Sequence, residues 1–147
     1  MLVRDALVHS PFVVSPNATL FALVDGILAG NQTTASVVDG DRLVGVVSAT
    51  DVLKQLVPAY LAMDENLAHV LHASFFEEEL GKLRNVQVHH AMVRDVDTLP
   101  PDASVMQAVA MFVRRGHKTV PIVDDGRFVG AVTRRSVLKL VRGSVDD

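Results

Sequence analysis

The chain has no cysteine and no tryptophan, and only one tyrosine and six phenylalanines in 147 residues. Without thiols it can form no disulfide, no thiolate zinc site and no cysteine nucleophile. This fits a reducing compartment, and the cytoplasm is the expected location. Aromatic residues at 5% leave few stacking platforms and the net charge is −3, so a nucleic-acid partner is disfavoured. The longest unbroken apolar run, Leu56 to Met63, is eight residues and includes Pro58. A membrane-spanning helix needs about 20, so no membrane segment is expected. The N-terminus carries Asp5 and His9 where a secretory signal would be continuously apolar, which argues against export. What the chain does have is apolar side chain, at 49% against 21% charged. That is enough for a packed core and too little charge for a disordered tail.

An internal repeat organises that material. Shifting the sequence by 85 residues aligns Pro16 to Leu56 with Pro101 to Val141 without a gap, and 13 of the 41 positions are identical. They include Pro16/Pro101, Val38/Val123, Asp39/Asp124, Val44/Val129, Gly45/Gly130, Val52/Val137 and Lys54/Lys139. Two copies of one unit bury their apolar faces against each other. In each copy a Pro is followed by a candidate helix cap, Asn17 or Asp102. Apolar residues then recur at helical spacing: Leu20, Leu23, Val24, Ile27 and Leu28 in the first copy, Val105, Val109, Phe112 and Val113 in the second. Two β-rich runs separated by a Gly-containing turn come next, Ala35 to Asp39 with Leu43 to Ser48, and Val120 to Asp124 with Phe128 to Thr133. A closing helix begins near Thr50 and near Arg135, and a short extended piece precedes each Pro.

The expected fold is therefore α/β of the α+β kind, with repeat 1 over 1–57, a helical connecting insertion over 58–85 and repeat 2 over 86–147. The insertion carries Leu67, Val70 and Leu71 at helical spacing, then Phe75 and Phe76, expected to pack on the core, and an acidic run from Glu77 to Glu79, expected to face solvent. Charge is unevenly spread, at −2, −3 and +2 over the three segments in order. A local basic patch on an acidic chain suggests a small polyanion. Among its members are Arg114, Arg115, Lys118, Arg134, Arg135, Lys139 and Arg142. An ordinary solvated helix face is the competing reading for Arg114, Arg115 and Arg142.

The sharpest local feature is the join of second strand to closing helix, GVVSATDV from Gly45 and GAVTRRSV from Gly130. A hydroxyl at a strand end beside the free N–H groups of a first helical turn favours an anion. Asp51 is the exception. A carboxylate there can accept two hydrogen bonds from a cis-diol, as an acid does in other ribose sites. It can equally be an early-helix acid stabilised by the helix dipole. His69 with His72 and the adjacent His89 and His90 permit a metal, but no acid is spaced to complete a site, and none is assigned. His117 beside Lys118 reads as a surface-loop histidine, with a phosphate contact as the alternative.

Taken together, SVVDGDRLVGVVS, PIVDDGRFVGAVT and the lead-in VHHAMVRDVDTLPPDAS resemble paired cystathionine-β-synthase (CBS) domains, a Bateman module. The resemblance spans nearly the whole chain outside residues 58–85. It implies β-α-β-β-α repeats packed sheet to sheet with pseudo-two-fold symmetry, a homodimer, and inter-repeat clefts for AMP, ADP, ATP or S-adenosylmethionine, with no required cofactor. Carried over by position, Asp51 would hold ribose, with Ser48 and Thr50 near ribose or phosphate. Thr34, Ala35 and Ser36 would edge the adenine with Val13 and Val14, and Ser36 in place of Pro121 would add a backbone N–H there. In the second copy Thr133 keeps the hydroxyl but Ser136 replaces the acid. Charge-assisted hydrogen bonds are roughly twice as strong as neutral ones, so the Asp51 site is expected to be the better adenosine site. Lys118, Thr119, Val120 and Arg134 would serve the other.

Three functions compete. A non-catalytic nucleotide sensor signalling to an as yet unidentified regulated protein fits the repeat and the Asp51 junction. A ligand-free dimerisation or docking module fits Ser136 and the basic patch. An enzyme is disfavoured, since no nucleophile, base and acid can be assembled and no GxxxxGK(S/T) phosphate loop is present.

Overall fold

The computed structural model describes residues 1–57, 66 and 73–146. The expected helical positions Leu67, Val70 and Leu71, and the pair His69 and His72, lie outside the described residues. In chain order the elements are β1 (Val13–Val14), α1 (Leu20–Ala29), β2 (Thr34–Asp39), β3 (Arg42–Ser48), α2 (Ala49–Leu56), α3 (Ala73–Lys82), α4 (Val105–Arg115), β4 (Thr119–Asp124), β5 (Arg127–Thr133) and α5 (Arg134–Gly143). Single 3-10 turns at Val3–Ala6, Leu83–Asn85 and Val88–His90 punctuate the connections.

The repeat read from the sequence is realised pair by pair. Thr34 opposes Ser48 and Thr119 opposes Thr133; Asp39 opposes Arg42 and Asp124 opposes Arg127. The register slips at the same place in both hairpins, between Val37 and Val38 and between Ile122 and Val123. β1 adds in parallel to β2 through Val14 and Val37, and Leu99 bridges Ile122 in the same sense. The strand order is β1-β2-β3-β5-β4, and the repeats meet through their sheets, β3 and β5 being bridged antiparallel at Arg42 and Arg127.

Local chemistry sets the helix ends. The cap of α1 is Thr19, whose hydroxyl accepts from Ala22 N at 3.1 Å, and that of α4 is Ser104, which accepts from Met106 N at 3.2 Å. The expected caps Asn17 and Asp102 lie two residues too early, because the chain first turns, with Ala18 N bonded to Ser15 O and Ala103 N to Pro100 O. Gly116 ends α4 at φ +69°, a left-handed cap that glycine adopts without a side-chain clash. The helical faces also differ in detail from the apolar pattern: Leu28 and Val113 are 77% and 78% exposed, while Ala108 and Met111 complete the inner face of α4.

Each copy has its own core, and neither core is built from its own copy alone. The first gathers Leu20, Leu23, Val37, Val47 and Val52 with Leu83 from the connection and Val88 from the start of the second copy. The second gathers Val105, Ala108, Val120, Ile122 and Val132 with Val3 and Ala6 from the N-terminus. Backbone hydrogen bonds lock both guests in place. Val3 N donates to Ala103 O at 2.9 Å and Val88 N to Ala18 O at 2.7 Å. Val105 N donates to Met1 O at 3.1 Å and Leu20 N to Val86 O at 2.8 Å; Val8 N reaches Ala131 O at 2.9 Å and Val93 N reaches Val46 O at 2.8 Å. In every pair the two bonds are related by 85 residues with the copies exchanged, the signature of a pseudo-two-fold axis.

In the connection, Leu80 and Leu83 dock on the first core. Phe75 and Phe76 do not: they stack edge to face at 5.8 Å, and Phe76 is exposed. Among the described residues of α3 it is Leu80, near the C-terminal end, that reaches the core, and the phenylalanines sit a turn further out. Glu77 and Glu78 face solvent as expected, whereas Glu79 pairs with Lys82 at 2.7 Å.

The segment bridged to β3 passes close to Gly45, where a Cβ would lie 2.7 Å from Val93 O and 3.0 Å from Met92 Sδ. Val93 O is itself held by Val46 N at 3.0 Å and cannot retreat. Gly45→Ala should therefore cost about 1–3 kcal/mol by overpacking. Gly81→Ala, on a helix with open space around it, should gain up to about 1 kcal/mol. Urea denaturation of the two variants checks this opposition of sign.

Candidate functional site

At the first strand-to-helix junction, Ser48 N donates to Asp51 Oδ2 at 2.8 Å and Ser48 Oγ donates to the same oxygen at 3.0 Å. Asp51 N returns to Ser48 Oγ at 3.4 Å, closing a capping box on α2. Asp51 thus fulfils its local role, and does so with one oxygen; among the described residues Oδ1 accepts no hydrogen bond. At the second junction Thr133 N donates to Ser136 Oγ at 2.8 Å, Ser136 Oγ donates to Thr133 O at 3.0 Å, and Ser136 N reaches Thr133 Oγ1 at 3.0 Å. The lone hydroxyl proton of Ser136 is spent inside its own cap.

Each junction opens onto a cleft walled by both copies. The smaller, of about 340 Å³, is lined by Ser48, Thr50, Asp51 and Lys54 from the first copy. Its other wall is Val93, Asp95, Val96 and Asp97 together with His117 and Thr119. The larger, of about 1300 Å³, is lined by Thr133, Arg134, Arg135, Ser136 and Lys139, with Lys118 and Thr119. Facing them are the N-terminal segment from Asp5 to His9 and the loop from Asn31 to Thr34. The two clefts are images of each other: Ser48 matches Thr133, Asp51 matches Ser136, Lys54 matches Lys139, Val93 matches Val8 and Thr119 matches Thr34 across the same offset of 85.

The expected site residues divide accordingly. Ser48, Thr50 and Asp51 stay together in the small cleft, and Thr133, Arg134, Ser136 and Lys118 in the large one, with Thr119 on both. Thr34, expected at the edge of the Asp51 ligand, faces the large cleft instead. Ala35 and Val120 are wholly buried core, Ser36 is 1% exposed, and Val13 and Val14 line neither cleft. The extra N–H of Ser36 is already taken, donating to Phe12 O at 2.9 Å to hold β1 on β2.

Asp95, Asp97 and the N-terminal segment were not among the expected site residues. The signal for them is present: the offset of 85 also matches Val3 with Val88, Ala6 with Ala91 and Val8 with Val93. Asp97 Oδ2 receives both His117 Nε2 and Arg115 Nη1 at 2.9 Å. The hydrogen bond from His117, then that from Arg115, hold the Asp97 carboxyl below the usual carboxylate range. His89 Nε2 lies 2.7 Å from Gln87 Oε1 and its ring stacks on His90.

The family model for the CBS domain matches this chain twice, at residues 3–58 and 86–143. The chain belongs to the CBS-domain family. A CBS domain from a membrane protein of Sphaerobacter thermophilus superposes with a TM-score of 0.71 at 32% identity, covering 95% of this chain and 87% of that one. An uncharacterised protein of Methanocaldococcus jannaschii is 28% identical over 95% of this CBS pair and 90% of its own length. Three further relatives are longer, and this CBS pair spans 15%, 40% and 42% of them. The CBS domain pair of protein MJ0100, solved with 5′-methylthioadenosine and S-adenosyl-L-methionine, shares the fold at TM-score 0.69 and 22% identity, covering 99% and 98% of the two chains. Among the described residues of this CBS pair, no helix is long and apolar enough to cross a membrane.

A carboxyl depressed in the folded chain contributes stability that is present above its ordinary value, near about 4, and is lost as pH falls through the folded value. The loss of melting temperature between about pH 7 and about pH 3 should therefore be smaller in Asp97→Asn than in the wild type. Thermal denaturation at the two pH values checks this.

Proposed function

We propose that this CBS pair is a non-catalytic regulatory module that binds an adenosine compound, AMP, ADP, ATP or S-adenosylmethionine, between its repeats and signals to a partner protein. The observation that carries this is Asp51, an acid with one uncommitted oxygen in a cleft walled by both copies. Its volume falls within the usual range for small-molecule sites, about 300–1,000 Å³. A ribose diol can donate to the free Oδ1 without disturbing the cap. The neighbouring Asp95 and Asp97 make this a poor place for a phosphate chain. They suit adenosine compounds that are neutral or positively charged at the far end, as a sulfonium is. Because each wall comes from a different copy, a bound ligand favours the inter-repeat geometry that grips it, and a partner reading that geometry responds.

Thermal shift against AMP, ADP, ATP, NAD and S-adenosylmethionine tests this reading. A ligand at about 100 times its Kd adds about 2.7 kcal/mol, and the midpoint should rise by several degrees. Asp51→Ala should abolish the rise with S-adenosylmethionine, which carries no phosphate, and, by removing the capping box, cost about 1 kcal/mol in the absence of ligand. No shift with any compound would favour the docking module.

We also propose a homodimer. Leu28 and Val113 are matched exposed residues on α1 and α4, and Leu53 and Leu138, 59% and 68% exposed, are matched on α2 and α5. A two-fold pair of apolar patches suits a second copy of the chain. Leu53→Glu with Leu138→Glu should convert a dimer to a monomer in light scattering after size exclusion, and an unchanged mass would refute it.

A further inference from the structure

The clefts are images of each other in backbone, yet their charges diverge in one direction. In the large cleft Lys118, Arg134 and Arg135 stand where the matched positions of the first copy are Thr33, Ala49 and Thr50. In the small cleft Asp51, Asp95 and Asp97 stand where the matched positions are Ser136, Ser10 and Phe12. Only the lysine pair, Lys54 and Lys139, is common to both. Lys118, Arg134, Arg135 and Lys139 make no ion pair among the described residues. Arg142 also lines the large cleft, with Nη1 donating to Val145 O at 3.0 Å. Among the described residues lining the cleft the one acid is Asp5, whose Oδ2 accepts from Leu2 N at 3.0 Å. Four cations converging on one concave space repel each other, a cost that an anion of several charges relieves. With Ser136 closed into its cap, the junction presents no acid to a ribose.

We infer that the large cleft is a phosphate-chain site, which recognises a linear polyphosphate by charge whether the chain is free or attached to a nucleoside. The site does not depend on Asp51. Its natural control is in the sequence: Lys118→Thr, Arg134→Ala and Arg135→Thr together give it the matched side chains of the first copy. All three residues are exposed, so the triple variant keeps its core.

The test is calorimetric titration with inorganic tripolyphosphate, ATP and adenosine on the wild type, the triple variant and Asp51→Ala. Tripolyphosphate should bind the wild type at one site, displace ATP there, and weaken steeply as salt rises. The triple variant should lose about tenfold or more in tripolyphosphate affinity, while Asp51→Ala leaves it unchanged. Three outcomes would overturn the inference: no tripolyphosphate binding, binding that survives the triple variant, or ATP held in this cleft more than about tenfold more tightly than tripolyphosphate. Failure of the adenosine reading looks different, since adenosine would then not bind the wild type while tripolyphosphate and ATP still bound in the large cleft.

Discussion

Everything else in this chain depends on an exchange of short segments between its two copies. Val3, carried on the N-terminal turn of the first copy, is wholly buried in the core of the second, and Val88, carried on the matching turn at the start of the second copy, is wholly buried in the core of the first. A unit of under 60 residues buries only about 60% of the surface its unfolded chain exposes. Each copy here is also missing a piece of its own core. The missing piece is supplied in trans and fixed by backbone hydrogen bonds, so neither half closes without the other. Gly45 shows how tight the arrangement is, since the guest strand passes where a methyl group would otherwise stand.

The exchange also makes the clefts. Having capped the opposite core, each guest segment runs on along the mouth of a junction: Asp5 to His9 past Thr133 and Ser136, Val93 to Asp97 past Ser48 and Asp51. The backbone therefore produces two equivalent sites by symmetry, and side chains alone distinguish them. Electrostatics does so with few changes, because a cleft concentrates the field of the charges along its walls. Three cations in place of neutral residues on one side, and three acids in place of neutral residues on the other, give the two clefts opposite charge.

Much of the fold was legible because it rests on side-chain pattern. The hairpins, their turns and the strand-to-helix junctions follow from β-rich runs, glycine and hydroxyl residues, and observed boundaries such as Thr34 and Ala49 fall within a residue of the expected ones. The exchange was not legible in the same way. It is built from main-chain donors and acceptors, which carry no residue signature, and from small apolar contacts such as Val3 and Ala6 that any short segment might contain. Without the exchange Thr34 is read together with Ser48, its partner across the hairpin, whereas with the copies interlocked it lines the large cleft. The phenylalanines misled for a different reason. Apolar spacing says which side of α3 is greasy, not how far along the helix the core extends, and among the described residues of α3 only Leu80 reaches it.

The same interlocking bears on how a ligand would act at a distance. A cleft within one copy could close on its ligand without disturbing the other. Here each cleft has a wall from both copies, and each guest segment is joined by hydrogen bonds to the core it caps, as Val8 is to Ala131 and Val93 to Val46. A ligand in one cleft would therefore press on a segment that is also part of the opposite core, and β3 and β5, bridged at Arg42 and Arg127, join the two halves. If the two proposed ligands bind, coupling between the sites needs no separate pathway: both would act on one shared framework, and each would alter the affinity for the other by the same free energy.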